Sequence, residues 1–290
     1  QLAESDSEAK AMYRFLQNDN VSEKDIIANM SKNCKTCVSG RPVLCIQDTS
    51  EINLYNHRNR IKKDNTIGLT NAKVGGLGFY IHPSFVIDSE TFMPYGFSDI
   101  KIWNRAHELP EKKKSHERHS IPIEEKESYK WIESSINSKK TLENAKEIII
   151  IQDREGDIYE QFCTVPDHKT HLLIRAKSNR FLTDNQRLFE YLSSQELRGN
   201  YSVEMDGDPR RNTKKRTAQL EVRFCEVVIK SNQYTPKNIS EFVSLYAIEA
   251  KEISKNIENP IHWRLLTTKK VEDLQTALLC IEWYTCRWII

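Results

Sequence analysis

The chain has 290 residues, 38% of them hydrophobic and 29% charged, with 43 Lys plus Arg against 41 Asp plus Glu for a formal net charge of +2. That is a globular composition, and the near-balance of charge excludes a uniformly basic protein that coats DNA by charge alone while leaving local basic patches open. The longest apolar run, Ile148 to Ile151, suits one buried strand and falls far short of the roughly 20 residues a membrane-spanning helix needs.

The opening QLAESDSEAK begins on Gln1 and has no apolar signal core, so an internal fragment of a cytoplasmic protein is expected. Residues 8–30 have helical spacing with Met12, Phe15 and Leu16 on one side. An NDN turn interrupts them, and Ser22 with Asp25 resembles a capping box. Among seven cysteines only Cys34 and Cys37 are spaced like metal ligands; His57 stands alone, so reduced thiols are expected rather than zinc. RPVLCIQDTS is a short apolar strand running into Asp48. Residues 78–88 and 91–103 read as a hairpin around a tight Asp-Ser-Glu turn, and the charged stretch 104–127 as a solvated loop. A helix is predicted over 124–142, a buried strand over 147–153, a helix over 157–165 and a second buried strand over 171–177. Residues 178–262 hold short β-rich stretches separated by polar turns such as DGDPRRNTKKR, the pattern of a β-rich insertion. An amphipathic helix started by Thr268 or a neighbour closes the chain.

Asp48 and Asp153 carry the informative chemistry. Each ends a strand whose preceding residues are almost all apolar, so in a sheet where those strands are neighbours both carboxylates emerge at one edge of the core. Two carboxylates held close repel unless a cation sits between them, which suits Mg²⁺ or Mn²⁺ with oxygen ligands. The competing reading makes both aspartates strand-end turn formers, with Asp153 capping the helix that follows.

The stretch QDREGDI (152–158) closely resembles the aspartate-arginine-glutamate-glycine/alanine-aspartate-isoleucine signature of bacterial insertion-sequence transposases of the DDE superfamily. Four further segments agree in order: AMYRFLQNDNVS (11–22), IQDTS (46–50), EKES-Y-KW (125–131), and WRLLTT (263–268) followed by YTCRW (284–288). The resemblance implies an α/β fold, a ribonuclease-H-like mixed sheet flanked by helices with a β-rich insertion before the last helix. It divides the chain into a remnant of an N-terminal end-binding domain (1–40), a catalytic core (41–177), the insertion (178–262) and a return to the core (263–290). It makes Asp48 and Asp153 two of three metal-binding carboxylates, with Mg²⁺ or Mn²⁺ as cofactor.

Tyr284 and Arg287 match the tyrosine and arginine of the family's tyrosine-x2-arginine-x3-glutamate-x6-lysine signature, whose glutamate would fall immediately after Ile290. This stretch of sequence is therefore expected to be catalytically dead or severely impaired. By the same resemblance Tyr284 and Arg287 clamp DNA phosphates, against the alternative of an aromatic-capped core helix; Trp263 matches an aromatic that stacks on a flipped-out base in hairpin-forming relatives, or is equally a core tryptophan at a strand edge; and Arg175 lies near the cleaved phosphate. Arg210, Arg211, Lys214 and Lys215 form a basic cluster suited to salt-sensitive phosphate contacts, or a solvated turn. Arg154 and Glu155 stand in the signature, or equally are pairing residues that fix the start of the next helix, and Asp157 is expected to be a helix-terminal charge. The implied partners are transposon-end DNA, target DNA and a second copy of the chain on paired ends, with no membrane and with action at the bacterial nucleoid. The rivals are a non-catalytic DNA-binding or inhibitory protein of the same fold and a general metal-dependent nuclease.

Overall fold

The computed structural model describes residues 4–61, 67–70, 76–105, 121–205, 215–254, 257 and 259–290. Strand β1 (Pro42–Gln47) lies at the centre of the first half. On one side it pairs antiparallel with β4 (Leu77–Asp88), and on the other parallel with β6 (Glu147–Gln152), which in turn pairs parallel with β7 (Thr170–Arg175). Strand β5 (Pro94–Trp103) folds back on β4 as a hairpin. The resulting order β5–β4–β1–β6–β7, with only β4 running against β1 among its neighbours, is the ribonuclease-H-like arrangement.

Residues 178–262 extend that same sheet. Strands β8 (Gly199–Met205), β9 (Arg216–Lys230), β10 (Phe242–Glu252) and β11 (His262–Thr267) form an antiparallel meander, and β11 joins it to β7 by pairing Leu265 with Arg175. With β2 (Ser50–Asn53) and β3 (Gly68–Leu69) on β4, eleven strands make one sheet among the described residues. The strands of this region are longer than the short stretches predicted, β9 running to 15 residues.

Alternation along the buried strands sends side chains to two cores. Val43, Cys45, Ile148, Ile150, Leu172 and Ile174 belong to one, together with residues of helices α2 (Glu23–Cys37), α3 (Tyr129–Thr141), α4 (Tyr159–Thr164) and α5 (Leu188–Ser194). Leu44, Ile46, Ile149, Ile151 and Leu173 belong to the other, with Ala277, Cys280, Ile281 and Tyr284 of α6 (Leu274–Thr285). The run of four isoleucines in β6 thus serves both cores, as expected of a central strand covered by helices on each face.

Several local expectations are corrected. Helix α1 (Asp6–Leu16) forms, but it has no buried residue: Met12, Phe15 and Leu16 all face solvent. The capping box of Ser22 and Asp25 is present and starts α2, which continues to Cys37; Cys34 is buried and its thiol is pushed up to about 12 by burial, while Cys37 is exposed. The hairpin turn is wider than Asp-Ser-Glu, spanning 89–93, because the Asp88 carboxylate accepts from the Glu90 and Thr91 N–H groups and from the Tyr95 hydroxyl, and Phe92 takes a positive φ of 58°. Helix α3 starts at Tyr129 because extended Lys126 separates it from a single 3-10 turn at Ile123–Glu125. The last helix is capped by Asp273, which accepts from the Thr276 N–H at 2.7 Å; Thr268 instead accepts from the Leu172 N–H and ties β7 to the chain after β11.

Ile150 is fully buried in the centre of β6. Ile150→Ala is expected to cost about 2–5 kcal/mol of stability in a urea titration, since the surrounding sheet cannot collapse into the space left.

Candidate active site

The two aspartates are brought together by one stretch of pairing. Ile46 is opposite Ile151 in the parallel β1–β6 ladder, so Asp48 and Asp153, each two residues further, leave adjacent strands at the same level. Neighbouring strands are about 4.8 Å apart. Asp48 also interrupts a ladder: β1 and β2 run along the same edge of β4 in one register, Gln47 opposite Ser84 and Ser50 opposite Ile81. That register puts Pro83, which has no N–H to give, opposite Asp48. His82, opposite Thr49, shares a hydrogen bond between its Nδ1 and the Thr49 hydroxyl at 2.9 Å. The strand therefore opens where the carboxylate is needed.

Each aspartate is preceded by isoleucine and glutamine, and the two glutamines form a layer beneath the carboxylates. Gln152 Nε2 donates to Gln47 Oε1 at 2.6 Å, and Gln161 Nε2 donates to Gln152 Oε1 at 2.7 Å and to the Gly156 carbonyl at 2.8 Å. Gln47 Nε2 donates to the Ser84 hydroxyl, and Ser135 is within reach of all three glutamines. All of these side chains are fully buried, so the network must be satisfied internally. Gly156 is needed for it: a Cβ there would lie 2.2 Å from Gln152 Oε1. None of the glutamines was expected at the site, although the repeated Ile-Gln-Asp at 46–48 and 151–153 was legible.

A cleft of about 300 Å³ opens above this layer, with Asp48, Asp153, Glu51, Glu127 and Glu155 facing Arg105 and Lys130. From the other face of the sheet, the end of α6 and the 3-10 turn Cys286–Ile289 reach the same carboxylates. Arg287 Nη1 donates to Asp48 Oδ2 at 3.1 Å, and the Tyr284 hydroxyl stands 3.4 Å from Asp153 Oδ1. Burial and the negative charge of Asp153 push the Tyr284 phenol above its ordinary pKa, opposed by Arg287 and Arg175, so the hydroxyl keeps its proton and acts as a donor. Arg175, half-buried at the end of β7, is thus close enough to act on the site electrostatically.

Other residues singled out in the sequence lie elsewhere or differently. Trp263 is buried on β11, with its ring 5.8 Å from Tyr284 and 5.5 Å from Trp288, and in this conformation it offers no open face to a base. Asp153 precedes a 3-10 turn (Arg154–Gly156) but makes no capping bond to it. Asp157 ends the 3-10 turn, as expected of a helix-terminal charge, but it is also buried: it accepts from the Lys177 and Ser178 N–H groups at 2.7 and 2.9 Å and pairs with Arg180, stapling the turns after β6 and β7 together. Lys215 pairs with Glu204 on the surface, whereas Arg210, Arg211 and Lys214 lie outside the described residues.

No protein-family model matches the chain. Among solved structures it is similar to a piggyBac transposase seen by cryo-EM in a synaptic complex with hairpin DNA, with a TM-score of 0.40 and 10% sequence identity over 98% of this chain and 45% of that one. This chain spans less than half the length of that transposase, and a likeness of this degree bears on neither activity nor substrate.

Two measurements test the architecture of the site. Gln152→Leu strips partners from Gln47 and Gln161 and is expected to cost about 1–3 kcal/mol for each polar group left buried and unpaired, read by chemical denaturation. His82 is buried, and burial pushes its pKa from the ordinary 6.5 down to about 3, with the Lys130 charge adding to the shift. The unfolded chain then takes up a proton near pH 6.5 that the folded one refuses until about pH 3. Stability is therefore full above the unfolded value and falls with decreasing pH across that window, by up to about 1.4 kcal/mol per unit. His82→Gln is expected to flatten that part of the profile, measured by urea titrations near pH 7 and near pH 5.

Proposed function

We propose that this chain belongs to the DNA-transposition machinery and carries the metal-binding, phosphoryl-transfer centre of a DDE-type transposase. The observation that carries the reading is the placement of Asp48, in IQDTS, and Asp153, in QDREGDI, side by side at the carboxyl ends of the central β1 and β6 strands. Their oxygen-only donor set fits Mg²⁺ or Mn²⁺. Asp48 and Asp153 would hold the cation; when bound it supplies Lewis-acid polarisation of a phosphate oxygen and a more acidic water. Among the described residues no third His, Cys, Asp or Glu joins them in a metal-binding group.

The chain's own residues set the conditions for that chemistry. The glutamine layer fixes the two strand ends, and the Tyr284 hydroxyl orients Asp153 from the opposite face. Arg287 neutralises Asp48 and lies against the rings of Tyr284 and Trp288, 5.8 and 5.2 Å from their centroids. With Arg175 it places positive charge beside the carboxylates, where the phosphates of transposon-end or target DNA would run. Self-association on paired ends belongs to the same proposal. No helix among the described residues is long and apolar enough to cross a membrane.

The Arg287–Asp48 ion pair favours a second reading, a DNA-binding protein of this fold whose carboxylates are occupied by its own cation rather than by metal. Fluorescence anisotropy of a short labelled duplex, with Ca²⁺ or with chelator present, separates the two. The first reading predicts that the divalent ion raises DNA affinity and that Asp153→Asn abolishes the increment. Affinity indifferent to the ion and to Asp153→Asn establishes the second reading, and no affinity for the duplex contradicts both. Competition by unrelated duplexes distinguishes an end-specific transposase from a general nuclease.

A further inference from the structure

Lys130 takes no part in the contacts that assemble the site, yet it faces the same cleft as Asp48 and Asp153. It lies in the first turn of α3, and its side chain is only 8% exposed. The Nζ atom stands 5.2 Å from the ring centroid of Trp103 and 5.8 Å from that of Trp131. Its nearest carboxylates are Glu127 at 3.9 Å and Glu155 at 3.8 Å, both beyond hydrogen-bond distance. Among the described residues the ammonium makes no hydrogen bond, although it carries three donors. A buried charge in that state is costly unless something completes its coordination.

Its neighbour Arg105 is in the opposite condition. Arg105 forms a two-point pair with Glu127 at 2.9 and 2.8 Å, and it donates to the Thr70 carbonyl and the Tyr80 hydroxyl. Its donors are engaged within the protein, whereas Lys130 lines the cleft with two tryptophan rings beside its ammonium. An ammonium is a compact point charge that meets a phosphate oxygen without the planar geometry a guanidinium requires. Glu127 and Glu155 are near enough to hold it in place and too far to saturate it.

We propose that Lys130 forms a phosphate subsite of this cleft, its ammonium donating to a non-bridging oxygen of a DNA backbone phosphate lying across Asp48 and Asp153. This rests on the DNA reading above, and the test separates the two. Anisotropy titrations with the short duplex, repeated over a range of salt, give the slope of log K against log salt. Loss of one phosphate contact lowers its magnitude by about 0.9.

The expected result is that decrease in Lys130→Gln, with the wild-type slope kept in Lys130→Arg and in Lys35→Gln, whose lysine pairs with Glu143 at the opposite end of the sheet. An unchanged slope in Lys130→Gln, with or without a lowered melting temperature, overturns the subsite while leaving the DNA reading intact. Failure of the wild type to bind the duplex overturns both. Should Lys130→Gln not fold, the assigned ε-CH₂ resonance of Lys130 in the wild type decides: a shift on adding duplex supports the subsite, and a stationary resonance overturns it.

Discussion

The parallel pairing of β1 with β6 is the constraint on which the rest of the molecule depends. It is built from eight fully or almost fully buried aliphatic and thiol side chains between Val43 and Ile46 and between Ile148 and Ile151, whose alternate members feed two cores on opposite faces of the sheet. Burial on both sides makes the register unforgiving, because a slip of one residue exchanges the two cores. The same register sets two Ile-Gln-Asp sequences level with each other. The glutamines turn inward and satisfy one another, and the aspartates emerge together at the sheet edge. Packing, polar satisfaction and site geometry are thus consequences of one ladder.

Charge around that edge is organised in two halves. Arg287 and Tyr284 approach from the α6 face and engage one carboxylate each, three residues apart in the chain and matched to neighbouring strands. Arg105 and Lys130 approach from the α3 side, where Glu127 and Glu155 offset them. The aspartates therefore sit between Arg287 on one side and Arg105 and Lys130 on the other. Such an arrangement accommodates a negatively charged backbone together with a divalent ion better than the backbone alone, since the ion offsets the repulsion a phosphate would meet from the five carboxylates of the cleft.

Much of this was legible in the sequence because burial writes itself into composition. The apolar runs of β1, β6 and β7, their polar exits at Asp48 and Asp153, and the capping box of Ser22 and Asp25 all follow from local patterns. Periodicity misled where the partner face lies outside a local window: Met12, Phe15 and Leu16 have helical spacing but remain exposed. The glutamine layer was not anticipated because polar residues in a buried strand become intelligible only once their partners, here Ser84, Ser135 and Gln161, are seen to converge from distant segments. The burial and pairing of Asp157 were hidden for the same reason, as its partners Lys177, Ser178 and Arg180 follow a different strand. That the β-rich region would continue the central sheet through β11 and β7 is a long-range pairing that no local signal carries.

The central claim, that Asp48 and Asp153 form one divalent-cation site, is tested most directly by calorimetric titration of Mn²⁺ into the chain and into Asp48→Asn, Asp153→Asn and Arg287→Gln. The account predicts binding by the wild type, a loss of about tenfold or more in affinity with either asparagine, and tighter binding when Arg287 no longer competes for Asp48. Equal Mn²⁺ affinity in all four proteins, or none in any of them, would contradict it.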